Sequence, residues 1–203
     1  MLIPKDPQFK KFRPIALTST LSKLFERLIL LRLSHHFEKL NLIPNFQNGF
    51  RKGKSCSQCL TTLVSNILYN FSNNKPLCAV FLDIKSAFDN VLPEKLQEIL
   101  IHFKIPYNVR YFIHKLMTIK SLYFKVQQEI LGPYTRNTGA PQGRVLSPLL
   151  YNIYTIFLSS AINGSDELLQ FADDTIIFNM CLPIKEAILS LQNNINRIIF
   201  FFQ

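Results

Sequence analysis

The sequence predicts an α+β fold in which a few strands form a sheet with helices packed on one face. Three observations lead there. Most of the chain carries apolar residues at the i, i+3, i+4, i+7 spacing of amphipathic helices. Two stretches, LCAVFLDI and LLQFADDTIIF, read instead as buried strands. Nothing reads as a βαβ nucleotide fold, and neither G-x-G-x-x-G nor G-x-x-x-x-G-K-[ST] is present.

The elements follow in order. Residues 1–17 are extended, because Pro4, Pro7 and Pro14 resist helix formation. Helical spacing begins near Leu21 and runs through Leu24, Phe25, Leu28, Leu31 and Phe37. Residues 41–53 form a loop, marked by Pro44, Asn45, Asn48, Gly49 and Gly53. Ser55 is the N-cap of the next helix, whose inward face is Leu60, Leu63, Val64, Ile67, Leu68 and Phe71. The run Leu77 to Ile84 is expected as a central buried strand. Pro93 opens a helix with Leu96, Ile99, Leu100 and Phe103 inside. Residues 107–119 are helical, and Tyr123 to Ile130 alternates weakly like one strand. Ser147 caps a helix with Pro148 in its first turn and Leu149, Ile153, Ile156 and Phe157 inside. Leu168 to Phe178 is strand, tight turn, strand. Pro183 starts a last helix with Ile184, Ala187, Ile188, Leu191, Ile195 and Ile198 on one face.

Composition narrows the class. At 48% hydrophobic residues the chain is too apolar to be disordered. A formal net charge of +10 points to a polyanionic partner, nucleic acid or an anionic membrane surface, although a solvated basic surface gives the same count. No apolar run approaches the roughly 18 residues that span a bilayer, and Lys5, Asp6 and Lys10 stand where a signal peptide would be apolar. The expected location is intracellular, in nucleus, cytoplasm or both. Cys56 and Cys59 form a lone C-x-x-C inside a helical segment, which fits ordinary buried cysteines better than a metal site.

The chemistry sits in three carboxylates. Asp173 and Asp174 are adjacent between two hydrophobic strands, where like charges repel and burial penalises each. A solvent-facing turn explains them, since aspartate is a good turn residue; so does a divalent cation bound by hard oxygen ligands. Asp83 ends the strand LCAVFLDI, again a costly place for a lone acid. If that strand lies beside the hairpin, Asp83, Asp173 and Asp174 form one donor set for two divalent ions about 3.5–4 Å apart. Asp89 is a weaker candidate, better suited to ending the turn before Pro93.

Five blocks then resemble one family in its own order: IPKDPQFKKFRPIALTSTLSKLFERLILLRL, QNGFRKGKS, AVFLDIKSAFDNV, GAPQGRVLSPLLYNIY and QFADDTIIF. Together they touch nearly the whole chain, and they are similar to the reverse transcriptase domain of non-LTR retrotransposons of the jockey-like group. The resemblance implies an RNA-directed DNA polymerase working on an RNA template, a DNA primer and dNTPs, with two Mg²⁺ ions, or Mn²⁺, held by Asp83, Asp173 and Asp174. It implies a right-hand polymerase fold with an antiparallel palm sheet. Residues 1–76 would be fingers, re-entering over about 93–138, and residues 77–203 palm.

Further roles follow from matching positions. Phe88 occupies the place of an aromatic gate, whose ring excludes a 2′-hydroxyl by clash; a core phenylalanine is the plainer reading. Arg13 matches the arginine that grips the triphosphate with its planar fork, with Lys5 as helper. Lys10 and Lys11 would meet template backbone or solvent. Gln142 matches a glutamine bordering the nucleotide pocket, where Gly139 and Gly143 would let the backbone approach closely. Arg51, Lys54 and Arg144 are assigned to template or primer, with a structural role equally open for Arg51. Arg144 departs from the family, which usually has a small residue there, and Lys85-Ser86 inverts a common order. The family's later palm strands, primer-gripping hairpin and thumb do not appear before Gln203. That leaves a second expectation, a truncated or decayed copy that binds nucleic acid without catalysis. An RNA-copying RNA polymerase is disfavoured by Phe88 and the APQG block.

Overall fold

The structure, a computed structural model, describes residues 2–6, 11–14, 16–118, 121–126, 129–135, 139–162, 166–180 and 183–202. In chain order the elements are β1 (Leu2–Asp6), β2 (Lys11–Pro14), α1 (Thr20–Lys39), α2 (Cys56–Ser72), β3 (Cys78–Asp83), α3 (Pro93–His102), α4 (Tyr107–Thr118), β4 (Ser121–Val126), β5 (Glu129–Thr135), α5 (Ser147–Tyr154), β6 (Glu167–Phe171), β7 (Asp174–Asn179) and α6 (Ile184–Phe201). Short 3₁₀ turns occupy Ala87–Asn90 and Ile156–Ala161. The chain divides into two compact units, Met1–Leu40 with Ser86–Tyr154, and Asn41–Lys85 with Thr155–Gln203.

The first unit holds α1, α3, α4, α5 and two hairpins, β1 with β2 and β4 with β5. Pro93 stands in the first turn of α3, where its missing N–H costs nothing. Leu96, Leu100, Ile113, Met117, Leu150 and Ile153 are fully buried and form the helical core. Each such side chain stabilises by about 1.5–3 kcal/mol relative to exposure.

Three expectations change in this unit. The buried stripe of α1 is Glu26, Ile29, Leu33 and Phe37, while Leu21, Leu24, Leu28 and Leu31 face outward. The helix is apolar nearly all round, so hydrophobic spacing does not choose its face. The Glu26 carboxylate chooses it, because its hydrogen-bond donors lie on that side. The single strand expected over Tyr123 to Ile130 is the hairpin of β4 and β5, with Val126 opposite Glu129. Ser147 is the first residue of α5 rather than its cap, and its hydroxyl donates to the Pro141 carbonyl at 2.7 Å.

The second unit is built on an antiparallel sheet in the order β3, β7, β6. The Ser55 cap of α2 is a full capping box: its hydroxyl accepts from Gln58 N at 3.2 Å, and Gln58 Oε1 accepts from Ser55 N at 3.0 Å. Helices cover both faces of this sheet, not one. Cys59 and Leu63 of α2 pack on Leu169 and Phe178, whereas Leu191 and Ile198 of α6 pack with Ile177 from the opposite face. Successive residues of β7 are apolar to both sides, so each side needs a cover. The expected central strand is likewise corrected: β7 is central, and β3 lies at an edge with alternate residues exposed. The inward face of α2 is narrower than its sequence implies, since Leu60, Val64, Ile67, Leu68 and Phe71 stay exposed. On α6 the buried positions are Ala187, Leu191, Asn194 and Ile198, with Ile184 and Ile188 outside. No helix among the described residues is long and apolar enough to cross a membrane.

Candidate active site

The β6–β7 hairpin closes on the pair Phe171 and Asp174, which leaves Ala172 and Asp173 as a two-residue turn. Ala172 has φ 60°, a left-handed conformation that costs a residue with a Cβ roughly 1–2 kcal/mol. The edge strand β3 pairs with β7 so that Asp83 stands opposite Asp174. Direct cross-strand partners share a face, with Cβ atoms about 4.5–5.5 Å apart. Asp83 and Asp174 are exposed and Asp173 is half-buried. Like charges facing each other across a ladder destabilise it.

The structure therefore brings Asp83 and Asp174 side by side and puts Asp173 next to them on the turn. Among the described residues, no group of three or more His, Cys, Asp or Glu side chains converges as a ready ligand set. The donor chemistry suits a hard divalent cation, and the register supplies a facing pair of carboxylates for it.

A feature unassigned in the sequence supports this turn from behind. The Gln47 side chain is buried; its Oε1 accepts from Ala172 N at 3.1 Å and its Nε2 donates to Ala172 O at 3.3 Å. The only advance signal was that Gln47 and Gly49 lie in one of the five blocks, QNGFRKGKS.

The remaining expected residues divide between the two units. In the first unit, Phe88 is half-buried in the 3₁₀ turn and stacks on buried Tyr151, with ring centroids 4.8 Å apart at 28°. Ala140 N donates to Phe88 O at 2.7 Å and Gly139 N to Val91 O at 2.9 Å, so the APQG loop is stitched to the Phe88 segment. Gly139 has φ +84°, and a Cβ there would lie 2.6 Å from Asp89 O. Gln142 O accepts from Ala16 N at 2.8 Å, and Gly143 also takes a left-handed φ, 90°. Arg144 Nη1 donates to Glu26 Oε1 at 2.8 Å. The other Glu26 oxygen accepts from Val145 N at 3.0 Å and Leu146 N at 3.4 Å. The backbones of Lys5 and Arg13 lie in β1 and β2, but their side chains, with Lys11's, lie outside those described, as do Lys10 and Cys181 altogether.

In the second unit, Arg51 Nη1 donates to the carbonyls of Pro44 at 2.8 Å and Gln47 at 3.1 Å. Lys54 lines an open cavity of about 410 Å³ with Asn45, Asn48, Gln58, Thr61, Thr62 and Leu169. Of the two cysteines expected buried, only Cys59 is; Cys56, in the first turn of α2, is exposed, and both are free thiols. Burial, reinforced by neighbouring Cys56, raises the pKa of the Cys59 thiol.

A family model described as reverse transcriptase (RNA-dependent DNA polymerase) matches residues 3–195. This chain belongs to the reverse transcriptase family. Among curated relatives, this reverse transcriptase domain is 34% identical over 191 residues to the probable RNA-directed DNA polymerase from transposon BS of Drosophila melanogaster, covering 90% of this chain and 21% of the relative. It is 30% identical to the RNA-directed DNA polymerase from mobile element jockey of Drosophila funebris, over 89% of this chain and 20% of that protein. The domain thus spans about a fifth of the length of these relatives. Its fold is similar to apo telomerase from Candida tropicalis, with TM-score 0.68, 13% identity, 97% of this chain covered and 41% of the other.

Proposed function

We propose that this domain is the polymerising core of an RNA-directed DNA polymerase, adding deoxynucleotides to a primer 3′-hydroxyl on an RNA template. The observation that carries the reading is the register placing Asp83 opposite Asp174, beside the Ala172–Asp173 turn. Asp83, Asp173 and Asp174 would hold two divalent cations, Mg²⁺ or Mn²⁺. When bound, the ions would lower the pKa of the attacking hydroxyl and steady the charge on the transferring phosphoryl group.

The chain's own side chains supply the rest of this reading. Phe88, braced by Tyr151, would lie under the incoming sugar and exclude a 2′-hydroxyl by contact. Gln142 and Gly143, on the loop stitched to Phe88, would border the base. Arg13 and Lys5 would grip the triphosphate. Of the three template or primer candidates, Arg51 and Arg144 already donate to groups within their own units. Lys54, with its cavity of amides and hydroxyls, is the favoured contact for the strand. Residues 1–76, with about 93–138, would serve as fingers, and residues 77–203 as palm.

The test is primer extension by the parent protein carrying this domain, on an RNA template with Mg²⁺. Asp173→Asn is expected to abolish extension while the variant stays folded. Extension that persists in Asp173→Asn would refute the catalytic assignment.

A further inference from the structure

We infer that Gln47 is a positioning residue for the Asp173–Asp174 turn, its side-chain amide splinting the Ala172 peptide. The inference rests on the reading of Asp83, Asp173 and Asp174 as metal-binding carboxylates.

The geometry is that of a missing strand partner. At a hairpin end the turn peptides have no ladder neighbour. Here a glutamine amide supplies one, with an acceptor for Ala172 N and a donor for Ala172 O. Gln47 is 1% exposed, so water does not compete for either bond. Its Oε1 also accepts from Gly49 N at 2.8 Å, which fixes which end of the amide faces which group.

Gln47 is itself held. Its N–H donates to Pro44 O at 3.2 Å, Gln170 N donates to Phe46 O at 2.7 Å, and Asn48 N donates to Gln170 O at 2.7 Å. Arg51 ties the Pro44 and Gln47 carbonyls together. Gly49 then permits the approach: a Cβ there would stand 2.2 Å from Ala172 N and 2.9 Å from Ala172 Cα. No side chain fits such a gap.

This arrangement acts on the turn more than on the hairpin. Leu169, Phe178 and Ile177 anchor the two strands in the apolar clusters on either side of the sheet. What the amide fixes is the left-handed Ala172 peptide, and with it where the chain places Asp173. Orienting groups behind metal ligands typically change metal affinity by about tenfold or more when removed.

The experiment uses the 203-residue chain, with Mn²⁺ binding read from the free-ion electron paramagnetic resonance signal and folding read from circular dichroism. Gln47→Met keeps the length and loses both bonds. Gln47→Glu keeps the acceptor and sets an oxygen against Ala172 O. Gly49→Ala pushes the turn away while leaving Gln47 intact. Each variant is expected to bind Mn²⁺ about tenfold more weakly per folded molecule, with amide exchange at Ala172 faster than in the parent chain. Variants with wild-type Mn²⁺ affinity would overturn the role of Gln47, even if they melt earlier, because that is the signature of a purely structural clamp. If the parent chain binds no Mn²⁺, or Asp83→Asn and Asp173→Asn leave binding unchanged, the metal-site reading itself falls and takes the inference with it. Should one Gln47 variant not fold, the other and Gly49→Ala give the same comparison.

Discussion

Arg144→Met leaves Glu26 without its cation partner among the described residues, and the structure sets the size of the effect. Glu26 is wholly buried, while the Arg144 side chain is 25% exposed. Stripping one partner from a buried ion pair typically costs about 3–5 kcal/mol. Here two moderating terms apply. Glu26 keeps its bonds from Val145 N and Leu146 N, and solvent already screens part of the guanidinium charge. The expected loss is therefore about 2–3 kcal/mol. For a domain of this size that is a fall in Tm of about 4–12 °C. Glu26→Gln should cost a similar amount by another route, since at either oxygen position its amide nitrogen would meet an N–H donor, Arg144 Nη1 or Val145 N. Because the two residues share one interaction, the double variant should be less destabilised than the sum of the singles by more than about 0.5 kcal/mol. Thermal and urea unfolding followed by circular dichroism give these values. A Tm change under about 1 °C for Arg144→Met, well below the 2–4 °C per kcal/mol scale, would refute the reasoning and return Arg144 to the template as a free cation.

Other outcomes follow from the same geometry. Asp174→Asn removes the like-charge pair with Asp83, so without divalent ions it should unfold at the same temperature as the parent chain or slightly higher; saturating Mg²⁺ should raise Tm in the parent and not in the variant. Gly139→Ala puts a Cβ against the Asp89 carbonyl at a left-handed φ, and should lose about 2 kcal/mol or more in urea unfolding. With iodoacetamide at neutral pH, Cys56 should alkylate readily in the native protein while Cys59, buried and with a raised pKa, reacts only after unfolding; equal labelling read by mass spectrometry would contradict the packing of α2.

Local signals in the sequence were faithful where the chemistry is local. The Ser55 cap, the first-turn Pro93 and the hairpin around Asp173 each depend on residues a few positions apart, and each stands where expected. Periodicity misled where an element is apolar on more than one side. On α1 the deciding residue is Glu26, whose donors Arg144, Val145 and Leu146 lie more than a hundred positions along the chain. The run Leu77 to Ile84 has the composition of a central strand, but its neighbours are settled by pairing, which places β7 in the middle. The facing of Asp83 and Asp174 was legible as a condition, that one strand lie beside the hairpin, and the register meets it. The contact made by Gln47 was not legible beyond its place in the block QNGFRKGKS, because a side chain bonding a backbone peptide 125 residues away leaves no periodic mark.

The two margins of the β3–β7–β6 sheet are treated differently. Along β6, residues 46–48 close the margin through Gln170. Along β3, no described strand does so, and Phe81 projects there 69% exposed. An open strand margin is a template for lateral self-association in concentrated protein. Lys75 and Lys85 bracket β3, and flanking charges of this kind act as gatekeepers against such stacking. The handling properties of the isolated domain should accordingly depend on ionic strength: salt that screens these lysines weakens the protection of the β3 margin.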